Sequence, residues 1–157
     1  MHTESHVFAI PLGPAALDPI VRSIPMGAVR ASLGFPSPAE DFEDDAVDLN
    51  ELLIRNPPAT FLYRASGHSM LHVGICDGDI LVVDRSVTPV DGDIVIAIWE
   101  GNQPTCKVLK VCKDHVEFHA RNPHHQNIVL APETEVEVFA VVSVVRQVKR
   151  DVRSRRR

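Results

Sequence analysis

The spacing of apolar and polar side chains divides the chain near residue 60. Beyond it, short apolar runs recur at 61–65, 80–83, Ile94–Trp99, 105–112, 116–120, 128–130 and Val136–Val145. They are rich in Val and Ile and bounded by Gly, Pro, Asp or Asn, so each predicts a β-strand. Two of them are entered through the same tripeptide, Asp77-Gly78-Asp79 and Asp91-Gly92-Asp93. Glycine supplies a permissive backbone there and the aspartates cap the turn. Upstream the pattern breaks down. Pro11, Pro14, Pro19 and Pro25 interrupt every candidate helix in 1–33, leaving at most a short turn near 15–22 and predicting an arm. Residues 34–39 predict a proline-stiffened extended segment, because the residue before each proline is pushed toward β or polyproline conformations. Residues 48–54 predict one short helix with Asp48 as its N-cap, ending before Pro57-Pro58. The expected organisation is therefore mainly β: an arm over 1–33, an extended linker with a short helix over 34–59, a β domain over 60–148 and a disordered basic tail over 149–157.

Composition narrows the class. A chain of 157 residues with 45% apolar side chains can bury one substantial core. No apolar run approaches the roughly 18 residues that span a bilayer. The N-terminus lacks the basic segment and following apolar stretch of a secretory leader. The expectation is a cytoplasmic protein without a membrane partner. Cys76, Cys106 and Cys112, odd in number and widely spaced, predict free thiols. The net charge of −5 hides an asymmetry: 146–157 carries +6, so the remaining 145 residues carry −11, concentrated partly in Glu40, Asp41, Glu43, Asp44, Asp45 and Asp48. An acidic body argues against a broad nucleic-acid face and direct sequence-specific DNA binding, and the Arg-rich tail reads as a solvated end.

The residues that carry chemistry are Ser66-Gly67-His68-Ser69-Met70 and, about forty positions on, Thr105-Cys106-Lys107-Val108-Leu109. A serine in a glycine-containing turn with a lysine on a later apolar strand is the layout of a Ser–Lys peptidase, in which lysine replaces histidine as general base. Lysine can serve only when neutral, so its pKa must fall by about 3 from the reference value near 10.4. Burial without a carboxylate partner does that, and Lys107 sits among apolar neighbours with Asp114 the nearest acid downstream. Lys110 and Lys113 read as surface charges. Ser66 and Ser69 both remain candidates for the nucleophile at this stage, and the amides of His68 and Ser69 are candidates for an oxyanion hole. The histidines do not combine into a predicted metal site. Gly67, Gly74 and Gly78 prevent a helix from aligning His68, His72 and Cys76, and His115 with His119 share a strand face only by parity. Neither a metal nor another cofactor is expected. Upstream, Gly34-Phe35-Pro36-Ser37-Pro38-Ala39 reads as a site that such a peptidase cuts in its own chain.

Several of these stretches, in this order, resemble one known family. They are Gly34 to Ala39, Asp48-Leu49-Asn50-Glu51-Leu52-Leu53-Ile54, Ala65 to Met70, Asp77-Gly78-Asp79-Ile80-Leu81-Val82-Val83-Asp84 and Gly92-Asp93-Ile94-Val95-Ile96-Ala97. From Gly34 to Arg146 the chain resembles the UmuD-type self-cleaving subunits of translesion DNA polymerase V, relatives of the LexA repressor. The resemblance implies a LexA/UmuD-like β-sheet peptidase domain with an extended N-terminal arm. It implies Ser69 as nucleophile, Lys107 as base and Leu33–Gly34 as the bond cut. It also implies a homodimer, activation by a RecA–single-stranded-DNA filament in the SOS response to DNA damage, and partnership with a UmuC-like Y-family polymerase. Two positions depart from the pattern. Leu33 stands where the family has Ala or Cys, a misfit of about 1–3 kcal/mol in a tight pocket. Ala140 stands where it tends to have Gly. The 33 residues ahead of Gly34 are too few and too proline-broken for a helix-turn-helix domain, which argues against a repressor. Without an anchor the chain also does not suit a membrane signal peptidase. The alternative reading is a non-cleaving polymerase accessory module of the same fold.

Overall fold

The computed structural model of the protein describes residues 8–17, 23–27 and 42–148. Among these residues ten strands carry the fold: β1 (Phe8–Pro14), β2 (Ser23–Gly27), β3 (Phe42–Asp48), β4 (Thr60–Ser66), β5 (Ile80–Asp84), β6 (Ile94–Trp99), β7 (Thr105–Val111), β8 (Val116–His119), β9 (Ile128–Val129) and β10 (Val136–Val145). The mainly β expectation is borne out, and the seven strands predicted beyond residue 60 match to within one residue at each end. Helix α1 (Leu49–Leu53) starts as predicted, with the Asp48 carboxylate accepting from the Asn50 amide at 2.9 Å. A 3-10 turn over Pro57–Ala59 follows it.

The main sheet runs β1-β4-β5-β10-β6-β7-β8-β9, and β1 also touches β7, through Phe8 opposite Thr105. The ring β1-β4-β5-β10-β6-β7 is thereby closed, with β8 and β9 extending from β7. All six ring strands supply one core cluster, to which Ala9, Tyr63, Leu81, Ile96, Val108 and Phe139 belong. A second cluster of Val95, Ala97, Leu109 and Phe118 forms on the opposite side of β6 and β7, and Trp99 stacks on Phe118 with centroids 6.1 Å apart. Strands buried on both faces read as unbroken apolar runs, which is why Ile94–Trp99 shows no alternation.

Strand β1 corrects the prediction of a patternless arm. It pairs with β4 from Phe8–Ser66 to Pro14–Phe61, with a register shift between Pro11 and Gly13. Proline lacks a donor and is tolerated in strands at edges and bulges, and beyond Phe8 β1 pairs with β4 alone among the described strands. Ala9, 2% exposed, enters the core from β1. Strands β2 and β3 were also missed; they pair antiparallel, with Ser23 opposite Asp48. The residues joining them include Leu33, Gly34 and the 34–39 segment, which, with the tail from 149 on, lie outside the described residues.

The two Asp-Gly-Asp turns are built alike. Asp79 accepts the Cys76 amide and Asp93 accepts the Val90 amide, each at 2.8 Å. Only the first is buried. The Asp79 side chain is 2% exposed and takes a bidentate contact from Arg146, Nε–Oδ1 2.8 Å and Nη2–Oδ2 2.6 Å. Burial pushes its carboxyl up, but Arg146 and the Cys76 amide outweigh that and hold it below the ordinary value. The last strand is thus fastened to the turn that enters β5.

Candidate active site

Strand β7 is buried on both faces from Thr105 to Leu109. Parity places Lys107 with Thr105 and Leu109, directly opposite Val95 of β6. Strand β4 delivers the other half of the site. It ends at Ser66, and Gly67, at φ +103°, turns the chain in a conformation that side chains with a Cβ rarely adopt. The Asp77 carboxylate accepts the Gly67 amide at 2.8 Å. His68 and Ser69 follow, and the turn closes through a 3-10 helix over Leu71–Val73. Across the sheet, the Lys107 Nζ lies 2.9 Å from the Ser69 Oγ and 3.1 Å from the Cys106 carbonyl oxygen.

Both side chains are wholly shielded from solvent. Among the described residues no carboxylate pairs with the Lys107 ammonium. Burial therefore lowers its pKa from the ordinary 10.5 to about 8. The neighbouring Cys106 thiol is itself pushed up by burial to about 12 and stays neutral. Neutral lysine carries two N–H donors and one lone pair. With the Cys106 carbonyl taking a donor, the lone pair is available to the Ser69 hydroxyl proton.

The structure thus brings Ser69 and Lys107 together, and it is Ser69 whose hydroxyl bonds the amine. Ser66 ends β4 in register with Phe8. Lys110 is exposed and pairs with Asp91 at 3.4 Å, as its reading as a surface charge anticipated. All three cysteines are free thiols, also as expected. What the sequence reading missed is a clamp on the serine turn. The Arg121 amide donates to the Ser69 carbonyl at 2.7 Å, the His72 amide donates to the Arg121 carbonyl at 2.8 Å, and the Asn122 Nδ2 donates to the His68 carbonyl at 2.9 Å. Asn122-Pro123 reads in sequence as an ordinary loop, and no local signal ties it to a turn over fifty positions away.

Residues 23–143 match the family described as Peptidase S24-like. The chain belongs to this family. The matched S24-like region contains both halves of the Ser–Lys pair. Over 149 residues the chain is 40% identical to protein ImpA of Escherichia coli, covering 95% of this chain and 99% of ImpA. It is 51% identical over 124 residues to protein MucA of Escherichia coli, 78% of this chain and 84% of MucA. A LexA repressor from Stenotrophomonas maltophilia is 32% identical over 125 residues, 80% of this chain but 57% of the repressor. The UmuD-type resemblance and the LexA/UmuD-like fold class read from the sequence are borne out. No helix among the described residues is long and apolar enough to cross a membrane.

Proposed function

We infer that this S24-like chain is a self-cleaving serine peptidase of the SOS mutagenesis type that cuts its own Leu33–Gly34 bond. The observation that carries the reading is the buried 2.9 Å contact between the Lys107 Nζ and the Ser69 Oγ. Neutral Lys107 takes the hydroxyl proton as Ser69 Oγ attacks the Leu33 carbonyl carbon. The amides of His68 and Ser69 face the developing oxyanion. Collapse breaks the C–N bond to Gly34, whose amine leaves with the proton from Lys107. Water, with Lys107 again as base, then hydrolyses the Ser69 ester. A homodimer, a RecA–single-stranded-DNA filament as activator and a UmuC-like Y-family polymerase as client complete the proposal. Intact-mass analysis tests it: incubation with an activated filament, or at alkaline pH without one, is to release a fragment beginning at Gly34.

Leu33→Ala is expected to accelerate that release about tenfold, the effect of relieving about 1.4 kcal/mol of misfit in a pocket shaped for a small side chain. A slower alanine variant would instead mean a pocket adapted to leucine. If neither protein releases the fragment under either condition, the enzyme reading fails and the non-cleaving accessory module takes its place.

Cleavage there would also separate β1 and β2 from the remaining strands. Strand β1 brings little apolar surface to the core, chiefly Ala9, while holding a free peptide costs several kcal/mol in lost translational and rotational freedom, on the order of 4 or more. The 33-residue fragment is therefore expected to dissociate, opening the ring between β4 and β7. Native mass spectrometry of the cleaved protein checks this; a stable fragment complex at micromolar concentration would contradict it.

A further inference from the structure

The β7–β8 hairpin carries a group of donors that the peptidase reading does not use. Its turn is closed by the Cys112 amide donating to the His115 carbonyl at 2.9 Å. That pairing sets Cys112 opposite His115, in phase with Lys110 opposite Glu117 and Val108 opposite His119. Cys112, His115, Glu117 and His119 consequently share one face of the hairpin, in the pattern Cys-x-x-His-x-Glu-x-His. A ligand atom from each of Cys112, His115 and Glu117 falls within 4.8 Å of the other two.

The geometry points to a binding site for a zinc-class divalent cation, held by the Cys112 thiolate, one imidazole nitrogen of His115 and one carboxylate oxygen of Glu117. Thiolate, imidazole and carboxylate together are a donor set for a borderline-soft ion, and they suit zinc or cobalt better than magnesium or calcium. Bonds of about 2.0–2.3 Å put tetrahedral ligands about 3.3–3.8 Å apart, so the three side chains need to close by only about 1 Å. All three are partly exposed, which leaves their rotamers free to do so.

The groups around this set are arranged as supports. The Asp114 Oδ1 lies 2.7 Å from the His115 Nδ1, which fixes the ring and leaves Nε2 for the ion. Nε2 at present contacts the Glu117 Oε1 at 3.0 Å, the gap that an ion would enter. The His119 Nε2 holds the other Glu117 oxygen at 2.7 Å. A carboxylate on the far nitrogen of a ligating histidine, and a hydrogen bond on a ligating carboxylate, are the usual second layer of a metal site. Lys110, which shares this face, pairs with Asp91. On binding, the Cys112 thiol releases its proton to solvent. The inference is independent of the peptidase reading.

The test is titration of the reduced full-length chain with Co²⁺, followed by displacement with Zn²⁺. One ion per chain is expected, with a thiolate-to-cobalt charge-transfer band in the near ultraviolet that Zn²⁺ abolishes. Cys112→Ser is expected to remove the band, and Asp114→Asn to weaken binding about tenfold to a hundredfold. Saturating Zn²⁺ should also protect Cys112, but not Cys76, from alkylation in the unmodified chain, a readout that does not depend on any variant folding. Absence of the band, its persistence in Cys112→Ser, or equal alkylation of Cys112 with and without Zn²⁺ would each overturn the proposal.

Discussion

Ser69→Ala and Lys107→Ala are each expected to stop release of the Gly34 fragment, a loss of about a thousandfold or more, while the β fold persists. The serine variant removes the hydroxyl that lies 2.9 Å from the buried amine. The lysine variant removes the amine that takes the hydroxyl proton in the proposed mechanism, from a site shielded from water. Residues that act as one unit lose nearly the whole effect when either is removed, so the double variant should be no slower than the singles. Stability gives a second readout. Holding Lys107 at a pKa of about 8 rather than 10.5 means that its ammonium destabilises the folded state at neutral pH by about 3 kcal/mol. Lys107→Met, which fills similar space without the charge, is therefore expected to unfold at higher urea than the parent while cleaving nothing. A Lys107→Met protein less stable than the parent, or either alanine variant that cleaves at the parent's rate, would remove the basis of the dyad assignment.

The sheet beyond residue 60 was legible because its strands are short, β-branched and punctuated by turn residues, and the burial of Lys107 because its neighbours in sequence are apolar. The first sixty residues were less so. β1 contains two prolines and buries only alanine among its fully covered positions, so nothing in its local pattern announces a strand; long-range pairing with β4 and β7 makes it one. β3 spells Phe-Glu-Asp-Asp-Ala-Val-Asp, an acidic run whose composition masks its pairing with β2. In the site, Asp77 and Asp79 were recognisable as turn residues. That one of them holds Gly67 and the other meets Arg146 from the end of β10 depends on contacts 10 and 67 positions apart in the chain. The Cys-x-x-His spacing at 112–115 was visible in the sequence. What hid its meaning was the hairpin register, which alone tells that Cys112, His115, Glu117 and His119 lie on one face.

Self-cleavage without an activator is expected to rise about a hundredfold between pH 6 and pH 10. In the proposed mechanism the active form of the base is neutral Lys107, and the pKa of this side chain is near 8 because burial, unopposed by any carboxylate among the described residues, disfavours the ammonium. At pH 6 about 1% of the chains hold the neutral amine, at pH 7 about a tenth, and by pH 10 nearly all. The rate should climb tenfold per pH unit at the acid end and level off above about pH 9. The sign of the stability term is the same. Folded Lys107 gives up its proton near 8, whereas the unfolded side chain keeps it to about 10.5. Between those values unfolding takes up a proton, so stability from this group increases with pH and its burial penalty is in full force below about 8. The increase in rate therefore does not come from unfolding, which rising pH makes harder through this residue. Initial rates of Gly34-fragment formation, measured by mass spectrometry in buffers of constant ionic strength, would establish the profile. A flat profile, or a midpoint near the 10.5 of an ordinary lysine, would mean that Lys107 is not the base whose deprotonation limits the reaction.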